Sequence, residues 1–349
     1  MDGFLPKVII WTRGYAPKYE AVSKEILLLS NALRHVLIYN LSSRAELYFG
    51  ARVISCYSRF YPSRIIIPVL EHRFDISHIF TSAPEHFYTS VLTKKPIILT
   101  YCGHIYLPSK NVSRFVQKLK KFDHVILESA KDFSALTSIG FETNKLSIIY
   151  PGIDLSKFKP SEPSVEIFKI LFASSPLSDR DSSFYSRGVK LMLDSLDNID
   201  GVRFVFLWRK GCSELLRTLM NRQKLNQSNV TIVNRIVNDI TPFLTNVHAV
   251  IAPFTSIWAK ACPHSIIEAL ASGKPVLVST KVGISDLVKN EKCGVVFEPT
   301  AEGLVQAIEE LRDHYWLYQN KSRRVAEKYF SKETFVENYR SIYESVYTS

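Results

Sequence analysis

Several features that define whole classes of protein are missing from this 349-residue chain. Its five cysteines (Cys56, Cys102, Cys212, Cys262 and Cys293) are odd in number, widely scattered and never spaced Cys-x-x-Cys. That pattern argues against a disulfide framework or a zinc site and for free, mostly buried thiols in a reducing compartment. The longest apolar runs, such as Ile65-Ile66-Ile67-Pro68-Val69-Leu70, fall far short of a bilayer span. No basic leader followed by a long apolar core opens the chain, so no signal peptide is expected. Low-complexity tracts and short-period repeats are also missing. With 46% hydrophobic and 22% charged residues, what remains is a globular composition, long enough for two domains with separate cores.

Acidic charge is scarce in the first half. Residues 1–160 hold 21 Lys and Arg against 12 Asp and Glu, while residues 161–349 hold 23 against 21. A basic half suits an anionic counterpart such as a membrane surface, a nucleic acid or a phosphorylated acceptor, and suits a solvated surface equally well. No nucleic-acid-binding motif accompanies the charge.

Short β-branched runs alternate with helical patterns throughout. Strands are expected at 8–11, 36–41, 76–81, 97–101, 125–128 and 146–150, and again at 169–173, 203–208, 230–234, 249–253, 276–279 and 295–297. Helices are expected at 20–34, 185–197, 213–223, 239–246, 264–272 and 301–312, with a helical end from 315 to 347. Residues 42–75 read as short strands with irregular connections. Near-continuous apolar strands separated by helices imply parallel sheets covered on both faces. The stretch YPGIDLSKFKPSEPS, rich in Pro, Gly and Ser, marks a boundary. The expectation is an α/β protein with a Rossmann-like domain over 1–160, a second Rossmann-like domain over 161–328 and a terminal helix over 329–349.

Ligands of such sheets bind beyond the carboxyl ends of the strands. Glu268, read as lying in the first turn of the helix after the strand 249–253, is placed to accept hydrogen bonds from a ribose diol. The N–H groups of the same helix start attract phosphate. Read locally, Glu268 is better taken as a helix-start carboxylate stabilised by the dipole. Asp179-Arg180-Asp181 is the one temptation towards a metal site; such a triplet arises readily by chance, and it is rejected.

The segment CPHSIIEALASGKPVLVSTKVGISDLV resembles the donor-binding segment of the retaining glycosyltransferase family 4, which has the GT-B fold: two Rossmann-like doubly wound domains facing across a cleft, with the C-terminal helix crossing back to the first. The register carries Glu268, the run Gly273-Lys274-Pro275-Val276, and Gly283 to Asp286. KLSIIYPGIDLSKFKP resembles the family's interdomain stretch through Gly152, Asp154 and Phe158. HVILESAKDFSALTSIGF resembles the element before it through Ser129 and Gly140. The resemblance implies a nucleotide-sugar co-substrate of UDP or GDP type on the second domain and no metal or other cofactor. Glu268 would hold the ribose, with His264 and Ser265 at the start of its helix. Arg187, of the pair Arg187-Gly188, would bind the pyrophosphate bidentately, helped by Lys190 or Arg180. His104, beyond the strand 97–101, would position the sugar and acceptor. Gly14 would stand for the family's N-terminal glycine-rich loop and allow close approach of backbone to ligand.

Two departures bear on activity. Lys260 occupies the place of the family's first Glu, and an ammonium donates hydrogen bonds where a carboxylate accepts them. No Arg directly follows Ala173-Ser174-Ser175, where the family's phosphate-binding Arg falls. The function expected is a retaining transfer from a nucleotide-diphosphate sugar to a hydroxyl acceptor, a lipid-linked one included. The alternatives are a catalytically degenerate homologue acting as a binding subunit, and another GT-B enzyme such as a sugar-nucleotide epimerase. Residues 109–122 place Val112, Phe115, Val116, Leu119 and Phe122 on one helical face, flanked by Lys110, Arg114, Lys118, Lys120 and Lys121. That face suits anionic lipid headgroups, so a cytoplasmic protein peripheral on the membrane is expected; a core-packed helix with a solvated basic face is the competing reading.

Overall fold

The computed structural model describes residues 6–18, 20–33, 36–42, 52–57, 69, 71–82, 96–105, 112–163, 167–175, 181–208, 213–222, 229–256 and 260–348. The chain divides into two compact units, Met1–Gly152 with Lys332–Ser349, and Ile153–Ser331. The division falls inside the Pro-Gly-Ser stretch, at Gly152 rather than at residue 160, and the last segment joins the first unit from Lys332 rather than from 329.

In the first unit the strands are β1 (Val8–Thr12), β2 (Val36–Ser42), β3 (Val53–Tyr57), β4 (Ile76–Thr81), β5 (Ile97–Tyr101), β6 (His124–Leu127) and β7 (Leu146–Ile148). They form one sheet in the order β3-β2-β1-β4-β5-β6-β7, and every neighbouring pair is parallel. Every residue of β1, β4, β5 and β6 is buried, as a sheet covered on both faces requires. The helices are α1 (Ala21–Ala32), α2 (Val112–Leu119) and α3 (Ala130–Ser138). Of the basic amphipathic stretch, the helix proper is therefore α2 alone. Its apolar face is occupied: Leu119 and the following Phe122 belong to the core, and Phe115 and Val116 pack against it. Lys120 and Lys121 are exposed. The structure thus corrects any expectation that this apolar face is free to enter a membrane. Lys110 lies outside the described residues, as does the side chain of Arg114.

The second unit contains β8 (Phe168–Phe172), β9 (Val202–Trp208), β10 (Val230–Asn234), β11 (Ala249–Ala252), β12 (Val276–Ser279) and β13 (Gly294–Phe297). Their order, β10-β9-β8-β11-β12-β13, is again all parallel. This is the doubly wound order, which reverses direction between β8 and β11. Around the sheet lie α4 (Asp181–Ser186), α5 (Val189–Ser195), α6 (Ser213–Arg222), α7 (Thr241–Thr245), α8 (His264–Ala271), α9 (Ser285–Glu291), α10 (Ala301–Asp313) and α11 (Tyr315–Tyr329).

Two expected helices are broken, for different reasons. The pattern over 185–197 divides into α4 and α5 because Gly188 takes a left-handed φ of +74°. The terminal pattern divides at Phe330 and Ser331 into α11 and α12 (Lys332–Thr348). Ile153 N–H donates to Phe330 C=O at 2.8 Å, which fixes the break beside the start of the second unit. Helix α12 belongs to the first unit, whose core takes in Phe335, Tyr339 and Tyr343. Each such aromatic, almost fully buried, contributes about 2 kcal/mol.

Candidate active site

The second unit's switch point is built by a close approach of two backbones. A Cβ on Gly188 would stand 1.9 Å from the carbonyl oxygen of Pro253, the residue that follows β11. Only glycine fits there, and its positive φ adds a second reason. The neighbouring contacts hold the same two segments together. Thr255 N–H donates to Ser186 C=O at 3.2 Å, and Thr255 Oγ1 donates to Tyr185 C=O at 2.6 Å. Arg187 is carried on this clamp. It is only 8% exposed, its guanidinium lies 5.1 Å from the centre of the Phe254 ring, and Nη1 donates to Ser174 Oγ at 3.3 Å. Ser174 stands just after β8. The guanidinium therefore occupies, in space, the loop where the sequence has no Arg of its own. Arg180 lies outside the described residues.

Lys190, expected beside Arg187, is paired with an acid. Its ammonium donates to both carboxylate oxygens of Asp194 at 2.8 and 2.6 Å, one helical turn along α5. The Asp194 hydrogen bonds also raise the Lys190 pKa. An i,i+4 carboxylate is the nearest partner such a side chain can find, so Lys190 arrives as a neutralised pair.

Helix α8 starts from the same side of the sheet, after the loop that leaves β11. Its N-cap is Pro263, whose ring caps no N–H group. His264 and Ser265 are its first two residues and are buried. Because the helix begins at His264, its first turn has no acidic residue. Glu268, expected there, lies one turn further in and is 6% exposed. The C-terminal end of α8 is held by Arg323, whose Nη1 donates to Ala271 C=O at 2.6 Å and Phe158 C=O at 2.7 Å. Lys274 is fully buried and donates to Ser161 C=O at 2.6 Å; burial pulls its pKa down to about 8. Lys260 is half-buried at the start of this region. Its carbonyl accepts from Gly283 N–H at 3.1 Å, and that of Ala261 accepts from Ile284 N–H at 2.9 Å. These bonds lace the approach to α8 onto the turn before α9.

The first unit presents a second group of residues at the carboxyl ends of its strands. Gly14, just beyond β1, has φ +79° and open space on its Cα. Its N–H donates to Asn40 Oδ1 at 3.0 Å, as does that of Tyr15 at 3.1 Å. The expected close approach therefore has room, but this N–H is already engaged by Asn40. His104 follows β5, and its Nδ1 lies 2.7 Å from Asp132 Oδ1. Asp132 sits in the first turn of α3, whose N-cap is Ser129. Asp132 was not among the expected site residues. The sequence does carry Ser129-x-x-Asp132 ahead of a helix, a pattern that by itself speaks only of capping.

Two parallel Rossmann-like units, the second with its ligand-facing edge at a doubly wound switch point, define the GT-B architecture. Residues 182–314, most of the second unit, match the family model described as glycosyl transferases group 1. The match covers fewer than half of the chain's 349 residues and lies within the second unit, which therefore resembles a domain of this group. Solved structures carry the same fold over the whole chain. Anabaena HepE in complex with UDP superimposes with a TM-score of 0.78 at 15% identity, covering 97% of this chain and 100% of that one. A glycosyltransferase from Rickettsia africae gives 0.74 at 17% identity, covering 97% and 98%. WaaG, a glycosyltransferase involved in lipopolysaccharide biosynthesis, gives 0.70 at 13%, covering 96% and 99%. Comparison with curated proteins gives no match.

Proposed function

We propose that the protein transfers a sugar, with retention of configuration, from a nucleotide-diphosphate sugar of UDP or GDP type to a hydroxyl group of an acceptor at an anionic membrane surface. The observation that carries the donor assignment is Arg187, held at the switch point by the Gly188–Pro253 approach and set against Ser174 and Phe254. Its planar guanidinium binds two oxygens of the leaving diphosphate and balances the charge that develops there, the dominant electrostatic contribution in such a transfer. The first-turn N–H groups of α8 point the same kind of partial charge at the phosphates. Glu268 accepts from the ribose hydroxyls, and Arg187 supplies the cation that a metal would otherwise provide. His104 accepts a hydrogen bond from a substrate hydroxyl. No side chain is assigned as a nucleophile; the acceptor oxygen attacks on the face the diphosphate leaves, and a leaving phosphate oxygen takes its proton. HepE has been captured with UDP-glucose, which supports a nucleotide-sugar donor for a chain of this fold. The basic surface at the end of α2, with Lys118 on the helix and Lys120 and Lys121 just beyond it, supports a lipid-linked acceptor.

Lys260 supports a second reading, a homologue that binds a nucleotide sugar without transferring it. A thermal-shift screen against UDP-, GDP- and ADP-sugars, followed by assays of donor hydrolysis and transfer, tests both. A ligand at a hundred times its Kd adds about 2.7 kcal/mol of stability. Stabilisation with turnover supports transfer, stabilisation without any turnover supports the binding subunit, and no stabilisation by any nucleotide sugar defeats both.

A further inference from the structure

We infer that Asp132 is the positioning residue for His104, fixing which ring nitrogen carries the proton and leaving Nε2 as the acceptor that meets substrate. A carboxylate only accepts hydrogen bonds, so the nitrogen 2.7 Å from Asp132 Oδ1, His104 Nδ1, is the one that bears hydrogen. In the neutral imidazole Nε2 is then a lone-pair acceptor, suited to a hydroxyl and unsuited to a phosphate oxygen. The carboxylate is itself immobilised. Ile105 N–H donates to Oδ1 at 2.6 Å, the Ser129 hydroxyl donates to Oδ2, and Asp132 N–H donates back to Ser129 Oγ at 3.1 Å. Those donors, together with the N-terminal turn of α3, stabilise a buried negative charge. Burial differs across the pair: the Asp132 side chain is 1% accessible and that of His104 is 12%. The ring reaches an accessible edge while its anchor is locked in the interior. Ile105 shares Oδ1 with His104, so the chain segment carrying the histidine and the ring itself are registered to one oxygen atom.

The consequence for turnover rests on the placement of His104 in the transfer reaction; the consequence for the tautomer does not. The test uses the full chain with 15N-labelled histidine. The His104 ring should appear in the Nδ1–H form in the wild type and shift towards the Nε2–H form in Asp132→Ala. In the same variant kcat should fall about 10- to 100-fold, the cost of a misplaced reacting group, with the donor Kd unchanged. Asp132→Asn keeps one acceptor oxygen for Ile105 N–H and His104, so its loss should be smaller, and it carries the test if the alanine variant does not fold. In a His104→Ala background, Asp132→Asn should cost nothing further. An unchanged tautomer in both variants overturns the inference, as does an equal loss of kcat with and without the His104 ring. A shifted tautomer with unchanged turnover, and an equally silent His104→Ala, overturns the role of His104 in transfer while leaving the donor assignment on the second unit intact. If no nucleotide sugar binds the wild type, the proposed function fails, and the tautomer measurement still stands by itself.

Discussion

His78 and Tyr343 are 265 positions apart in the chain and joined by a 2.7 Å hydrogen bond between Nδ1 and the phenolic oxygen. The other ring nitrogen, Nε2, lies 2.8 Å from Thr100 Oγ1, which is 2.9 Å from the Tyr339 hydroxyl. His78, Thr100 and Tyr339 are fully buried and Tyr343 nearly so. A buried chain of polar groups is favourable only when every member is satisfied. This one is satisfied only when α12 lies on the first unit's sheet in a single register, because two of its four members come from that helix. Aromatic packing seats the helix, and the hydrogen-bonded chain sets where along the sheet it sits.

Acid should therefore weaken the fold. Burial holds the pKa of His78 well below its ordinary 6.5, with His124 adding to the effect. His248 is lowered to about 4 by burial and by Lys274 and Lys169. In the unfolded chain these rings take up protons near pH 6.5 while the folded chain refuses them, so the unfolded state binds more protons and stability falls as pH falls. The contribution is complete above about pH 7.5 and is lost progressively below 6.5, towards the folded value of about 4 for His248. Thermal melts between pH 8 and 5 should show a falling midpoint, and His78→Phe should flatten part of the slope. A melting temperature indifferent to pH across this range would contradict the assignment.

Gly188→Ala should be among the most damaging single-methyl changes in the chain. The added Cβ would stand 1.9 Å from Pro253 C=O at a φ of +74°, so either the clamp opens or the backbone strains. A loss of roughly 3 kcal/mol is expected, with donor affinity lost as Arg187 leaves Ser174. Denaturant unfolding measures the first effect and UDP-sugar titration the second. Wild-type stability in this variant would mean that the two segments are not packed as described.

Glu268→Gln should weaken nucleotide-sugar binding by roughly 1–3 kcal/mol, because a charge-assisted bond to the ribose becomes a weaker neutral one. Glutamine fills nearly the same volume in α8, so the melting temperature without ligand should hold. Calorimetric titration with the donor decides the matter: an unchanged Kd removes Glu268 from the ribose.

Most strands and the two-unit plan were legible because a parallel sheet buried on both faces writes itself as apolar runs, as in β1 and β11. The breaks were less so. Gly188 sits inside a pattern that reads as continuous helix, and its necessity comes from a carbonyl 65 positions later, which periodicity cannot report. Glu268 was read into the first turn although a helix that starts at His264, as expected, puts it fifth and so beyond that turn. Register with a known family brought Arg187 and His104 forward, but it could not show that Asp194 holds Lys190 or that Asn40 holds Gly14. Asp132 escaped because its partner, His104, lies 28 positions away. The Asn40 and Asp132 contacts reach across the fold, and only the fold displays them, whereas Lys190 and Asp194 are one helical turn apart and their pairing follows once the helix is known.

The basic helix offers the last prediction. Phe115, Val116, Leu119 and Phe122 serve the core, so among the described residues α2 offers no spare apolar face to insert, and the attraction expected of it is that of its charge. Attraction to an anionic leaflet is about 1 kcal/mol per basic residue near the surface and fades within a Debye length, about 8 Å at physiological salt. The wild-type protein should bind vesicles containing an anionic phospholipid at low salt, and release them when the salt is raised to about 0.5 M, where the Debye length is shorter still. Reversing Lys118, Lys120 and Lys121 to Glu should abolish that binding and leave donor affinity untouched, since these residues lie on the first unit and Arg187 and Glu268 on the second. Vesicle co-sedimentation checks it. Binding that survives high salt would require an apolar anchor that α2 does not have, and indifference to anionic vesicles at low salt would reduce Lys118, Lys120 and Lys121 to ordinary solvated charges.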